Sequence, residues 1–213
     1  MARRLDDCCE LQTGPSGSVL TRSDHLIGGI PVVKAGDVGP DGIALNPRAS
    51  VGATTAERLQ KYRLESGDIV FVRIGRTTRH AVATDAHRGW VLGSSCIRVR
   101  ALREVLPAYL SCYLTHPAVQ EWLVGNTNSG VLPTRNTGNV GSLPLVLPPV
   151  AVQEGVVQVA RLIDAKISAH KNVIEATHTL RDLLIPRLLA GNPMPPGSPG
   201  GEGAIENQPY LSG

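Results

Sequence analysis

The sequence predicts an α+β fold: a β-rich domain with peripheral helices, followed by one long coiled-coil helix. Three observations carry that prediction. Short Val- and Ile-rich runs bounded by Gly, Asp or Pro recur up to about residue 149. Beyond Pro148–Pro149 the composition turns Gly-poor and takes on a seven-residue apolar period. No regular βαβ alternation appears, which disfavours a doubly wound parallel sheet.

Three regions follow from composition: a mixed domain over 1–149, a helix over 150–190, and a tail over 191–213 with five Pro and six Gly and almost nothing to bury. The tail is expected to be disordered. Within the domain, strands are expected at 30–35, 68–74, 81–84, 96–100 and 143–147. Gly67–Asp68 supplies a turn before the second of these. Pro107 suits the first turn of a helix through Tyr109, Leu110, Tyr113 and Leu114. His116–Pro117 interrupts it, and a short helix follows through Val119, Trp122 and Leu123.

The long helix carries the clearest signal. Val156, Ile163, His170, Thr177 and Leu184 take position a of a heptad; Ala160, Ile167, Ile174, Arg181 and Leu188 take position d. Seven of these ten positions are apolar, which suits lengthwise packing on a partner helix. Pro186 is expected to end or kink the helix near Ile185. A helix over 150–185 is about 50 Å long at 1.5 Å per residue, more than a domain of this size covers, so an exposed arm needing a partner is expected.

Charge is mildly basic, formally +3, but unevenly placed. From Phe71 to Arg103 there are seven arginines (Arg73, Arg76, Arg79, Arg88, Arg98, Arg100, Arg103) against the single acid Asp85. Such an excess favours a polyanion. Aromatics are only 3%, which argues against a surface that stacks single-stranded bases. Cys8, Cys9, Cys96 and Cys112 show no metal-ligand spacing and, with no signal peptide, fit a reducing cytoplasm. No apolar run approaches the roughly 20 residues that span a bilayer.

Catalytic constellations are missing. There is no GxxxxGK[ST] loop, and Gly14–Pro15–Ser16–Gly17 reads as a plain loop. No Asn-Pro-Pro-Tyr-like tetrapeptide is present; Asn46–Pro47 is followed by Arg48, which does not stack on a flipped base as an aromatic does. Asp68, with Glu57 and Glu65 nearby, reads as a turn acid rather than a nuclease ligand. His25, His80, His87, His116, His170 and His178 are scattered without metal-binding spacing. No catalytic residue, metal or cofactor is expected.

The order of several motifs resembles the specificity subunit of type I restriction–modification enzymes. Leu11 to Ser18 is similar to that family's opening segment, and Gly28–Gly29–Ile30–Pro31–Val32–Val33 with Asp37 to its "G-I-P … D" strand. Leu64 to Gly75 is similar to "L-x-x-G-D-[IV]-[LV]-x-x-R-x-G", and Pro107 to Leu114 to "P-x-Y-L-x-x-Y-L". Ser129–Gly130, Leu143 to Pro149 and Gln153 resemble "S-G … L-x-[IV]-P-L-P-P-x-x-x-Q", and Ile163 to Ile167 and Leu183 to Leu189 resemble the helix and its exit. Two departures stand out: full-length members carry two recognition domains and two such helices, and Val152 replaces the usual acid before Gln153.

The resemblance implies a half-length, non-catalytic DNA specificity subunit. Its 1–149 would be a target recognition domain reading one half of a split site in double-stranded DNA. Its helix would pair with a second half, expected to be a copy of the same chain, giving an interrupted palindromic target. Implied partners are type I methyltransferase subunits, with the restriction subunit as a further candidate, in the cytoplasm and away from membranes. Candidate DNA contacts are Lys34, Arg73, Arg76, Thr77, Thr78, Arg79, His80, Arg88, Asn128, Thr134, Arg135 and Asn136, chosen as cations or polar side chains in or beside expected loops. Candidate partner-helix contacts are Val156, Ala160, Ile163, Ile167, His170, Ile174 and Leu184. His170, Thr177 and Arg181 either fix helix register or sit at the margin of the seam. A stand-alone DNA-binding protein, a detached piece of a combined methyltransferase–nuclease, and a protein-binding scaffold remain alternatives.

Overall fold

The computed structural model describes residues 2–21, 24–75, 78–127 and 133–191. Arg76, Thr77, Asn128, the Ser129–Gly130 motif and the tail from 192 onward lie outside them. Two compact units divide at Arg161/Leu162, inside the long helix.

The first unit runs β1 (Ala2–Arg4), β2 (Cys9–Thr13), β3 (His25–Val33), β4 (Val38–Gly39), β5 (Gly42–Ile43), β6 (Ser50–Val51), α1 (Ala53–Arg58), β7 (Ile69–Val72), β8 (His80–Val82), β9 (Val91–Leu92), β10 (Cys96–Ala101), α2 (Pro107–Leu114), α3 (Pro117–Gly125), α4 (Thr137–Gly141) and β11 (Pro144–Val146). It is an α+β unit, as the sequence predicts.

Its centre is an antiparallel four-stranded sheet in the order β2-β10-β7-β8. Side chains alternate across a strand, so the unbroken run Ile69–Val72 must serve two faces. Val70 and Val72 enter one apolar layer with Val32, Val33, Val51, Val91 and Leu59. Ile69 and Phe71 enter the other with Ile97, Val99, Leu110, Leu114 and Leu123. The first layer is closed by the small mixed sheet β6-β3-β9 and by α1; the second by α2, α3, α4 and β11.

The expected punctuation has physical causes. Gly67 takes φ 91, a left-handed turn that a side chain would strain. Asp68 then accepts the Glu65 amide at 2.7 Å and binds both Nε and Nη2 of Arg100, at 2.7 and 2.8 Å. α2 ends at Leu114, and His116 caps α3, its Nδ1 accepting the Ala118 amide, with Pro117 in the first turn.

The helix α5 (Val150–Leu189) begins where Pro148–Pro149 predicts. Gln153 on its first turns is fully buried: its Oε1 accepts the Leu106 amide and its Nε2 donates to the carbonyls of Glu104 and Pro148, each at 2.9 Å. Of the end or kink expected near Ile185, the end is not found. Pro186 lies inside the helix, which runs on to Leu189. Proline removes one amide donor, but the Pro186 carbonyl still receives the Ala190 amide at 3.0 Å. Gly191, at φ 67, supplies the left-handed stop.

Candidate nucleic-acid interface

Five segments meet at one end of the central sheet. The loop after β2 lies so close to the one before β10 that a Cβ on Gly14 would stand 2.0 Å from the Gly93 carbonyl oxygen. Gly93 donates to the Val33 carbonyl at 2.8 Å, tying in the exit of β3. Ser95 accepts the Ala35 amide on its hydroxyl at 2.8 Å and the Arg73 amide on its carbonyl at 3.0 Å. The segment after β7 is joined to 133–135 by Gly75 N to Pro133 O at 2.9 Å and Arg135 N to Arg73 O at 2.8 Å.

These bonds sort the expected DNA contacts. Lys34 is exposed on the cluster, and its ammonium has no carboxylate partner among the described residues. Arg79 is exposed, with one Nη1 bond to the Val38 carbonyl at 3.1 Å. Arg73 is half-buried and donates through Nε to the Arg135 carbonyl at 3.2 Å. Thr134 is half-buried and bridges to Ile74. Thr78 is half-buried, its hydroxyl enclosed without a hydrogen-bond partner among the described residues. Arg88 is exposed but pairs with Asp85 at 3.3 Å. Asn136 is exposed, yet its Oδ1 accepts the Asn139 amide at 2.7 Å as the cap of α4.

Two candidates point inward. Arg135 is 1% exposed; its guanidinium donates to the carbonyls of Gly75 at 3.0 Å and Leu123 at 3.4 Å. Burial pushes its pKa down. Its sequence setting, a polar loop, suggests a surface contact; in the structure it pins the loop from within. His80 bonds to the Ser111 carbonyl at 3.1 Å, and burial likewise holds its pKa below the ordinary value.

The arginine-rich stretch is also divided. Arg98 is buried and donates to the Lys61 and Arg63 carbonyls, and Arg100 is held by Asp68 and Glu65. Both alternate on β10 with Ile97 and Val99, which face the opposite layer. Sequence reasoning passed over Arg48, which is exposed, shares a shallow concavity with Lys34 and has no acidic partner among the described residues. No signal in its neighbourhood marks it out, since Asn-Pro-Arg reads simply as a loop.

The partner-helix candidates present an open seam. Val156, Ile163, Ile167, His170 and Ile174 are exposed, and Ala160 and Leu184 half-buried. A second set escaped the heptad reading: Val159, Leu162, Val173, Leu180 and Leu183 are each more than half exposed. At 100° per residue the two sets join into an apolar arc of roughly 200°, about twice the width of one two-helix seam. Among the described residues no group of three or more His, Cys, Asp or Glu side chains is arranged to hold a metal, and no helix is long and apolar enough to cross a membrane.

Residues 1–176 match the family model for the type I restriction modification DNA specificity domain. Three solved structures are similar in fold. The HsdS subunit from Thermoanaerobacter tengcongensis is 17% identical with a TM-score of 0.61, covering 81% of this chain and 39% of that one. A structure described for the complex assembly and conformational transition of the type I R-M system is 18% identical with a TM-score of 0.67, covering 86% and 43%. The S subunit of the type I restriction-modification system from M. genitalium is 15% identical with a TM-score of 0.55, covering 89% and 46%. This chain thus spans less than half the length of each. No curated protein sequence matches it significantly. The family match takes in the two-layered unit, its loop cluster and most of α5, and the chain belongs to the type I restriction modification DNA specificity domain family.

Proposed function

We propose that this chain is the sequence-reading, non-catalytic subunit of a type I methyltransferase or restriction complex and reads one half of an interrupted site in double-stranded DNA. The observation that carries the reading is the family match across both the loop-bearing unit and the helix. The loop cluster supports it by offering Lys34, Arg79 and the neighbouring Arg48 to solvent around a backbone held by hydrogen bonds. Exposed cations hold phosphates and make affinity fall with salt; the neighbouring polar groups read base edges.

The helix supplies the second half of the mechanism. Its a/d seam pairs with the helix of a second copy, and two identical units read two identical half-sites in an interrupted palindrome. The additional apolar set, Val159, Leu162, Val173, Leu180 and Leu183, leaves a face for methyltransferase subunits, with a restriction subunit joining the same assembly. The complex acts on DNA in the cytoplasm.

Co-expression with candidate methyltransferase subunits tests the reading. A complex that contains this chain, binds duplex DNA and methylates one sequence only when the chain is present is the expected result. Methylation at the same sites without the chain would overturn it.

A further inference from the structure

We propose that the excursion Leu26–Gly29 is an apolar reading element that enters a DNA groove and contacts bases, with Lys34 and Arg48 holding phosphates beside it. The inference rests on the DNA-reading function proposed above and assigns it a specificity-determining pair outside the polar candidates.

The excursion is built. His25 and Ile30 both pair with Val51, so the four residues between them leave the β3–β6 ladder and project. Gly28 takes φ 79 at its turn. Gly29 returns so close to β6 that a Cβ would stand 2.2 Å from the Val51 carbonyl oxygen. The Ser50 hydroxyl bonds to the Leu26 carbonyl. On this pinned backbone the side chains at the tip are aliphatic: Leu26 is 58% exposed and Ile27 100%. A structured turn that keeps an isoleucine wholly in water has its use when something covers it.

Charge selects the occupant. Leu26 and Ile27 line the same concavity as Lys34 and Arg48, and among the described residues no acidic one lines it. Neither cation has an ion-pair partner among the described residues. Lys34 continues into the loop cluster through Ala35 and Ser95, so the tip adjoins the proposed DNA face. Two cations around a branched aliphatic tip suit a duplex. Phosphates flank the groove, and Leu or Ile either wedges between base steps or packs on a thymine methyl.

The test uses the full chain in its methyltransferase complex, with a duplex carrying its methylated site and an unrelated duplex. Ile27→Ser, and separately Leu26→Ser with Ile27→Ser, should lower affinity for the site about tenfold or more while leaving affinity for the unrelated duplex unchanged. Lys34→Ala with Arg48→Ala should weaken both and, with two copies of the chain on one duplex, reduce the salt slope by about four. Brightening of 2-aminopurine at a half-site step on binding, lost in Ile27→Ser, marks the wedge. A matching loss on replacing thymine by deoxyuridine marks the methyl contact. Because these side chains are exposed, thermal melting should be unchanged. Equal site affinity and an unchanged methylation pattern in both serine variants would overturn the proposal. So would loss of the methyltransferase subunits on purification, which would make the tip a protein contact. A wild-type complex that binds no DNA would instead overturn the function itself.

Discussion

In residues 1–161 several arginines of a stretch that looks like a ligand surface are turned to structural work, whereas in residues 162–189 the aliphatic side chains that look like core are left in water. Arg98, Arg100 and Arg135 hold main-chain carbonyls or Asp68. Ile163, Ile167 and Ile174 touch solvent over roughly half their surface. The difference teaches that the first unit completes its own stability and leaves only a few cations for a partner. The second part of the helix has its apolar interactions still to make.

The largest expected effect breaks that contrast on the helix side. Ile163→Asp with Ile167→Asp and Ile174→Asp places three carboxylates in an apolar seam and should weaken self-association at least about a hundredfold, measured by analytical ultracentrifugation. Melting of the first unit should be unchanged.

On the other side of the contrast, Arg135→Ala takes the side-chain donor from the Gly75 carbonyl, leaves the Leu123 carbonyl to the Thr127 hydroxyl alone, and empties the space of a large buried side chain. A loss of about 3 kcal/mol in urea unfolding is expected. Arg79→Ala, at an exposed position, should stay within about 0.5 kcal/mol. Equal effects at the two positions would contradict the division between structural and surface arginines. Asp68→Ala comes next, at about 2 kcal/mol, by removing the two-pronged bond to Arg100 and the Glu65 turn.

The smallest effect is on pH. Burial holds the His80 pKa below the ordinary imidazole value in the folded chain. Between the folded and unfolded pKa values the unfolded state binds more protons, so stability rises with pH there. The contribution is complete above about 6.5 and declines as pH falls toward the folded value. His80→Gln should flatten that part of a stability-versus-pH curve, and a curve unchanged by the substitution would contradict the assignment.

Much of the fold is legible in the residues themselves. The break at His116–Pro117, the run at Ile69–Val72 and the start of α5 rest on local chemistry: a proline without an amide, a turn glycine, an uninterrupted apolar stretch. The strands β1 and β2 and the helices α1 and α4 are not foreseen. β1 holds three residues, two of them arginines, and exists by pairing with β11 far along the chain. α1 and α4 have six and five residues, too few to display a helical period. The site is less legible than the fold. A cation in a loop reads the same whether it faces solvent, as Lys34 does, or a buried carbonyl, as Arg135 does. Only tertiary packing separates them. The second apolar set on α5 was hidden because a heptad directs attention to one seam.

We propose that two copies of one reading unit, joined through their helices, address one site. Sequencing the methylated bases in cells that carry this chain as the sole specificity subunit tests it most directly. An interrupted target whose two halves are inverted repeats is the expected result. Two unrelated half-sequences, or an uninterrupted site, would contradict it.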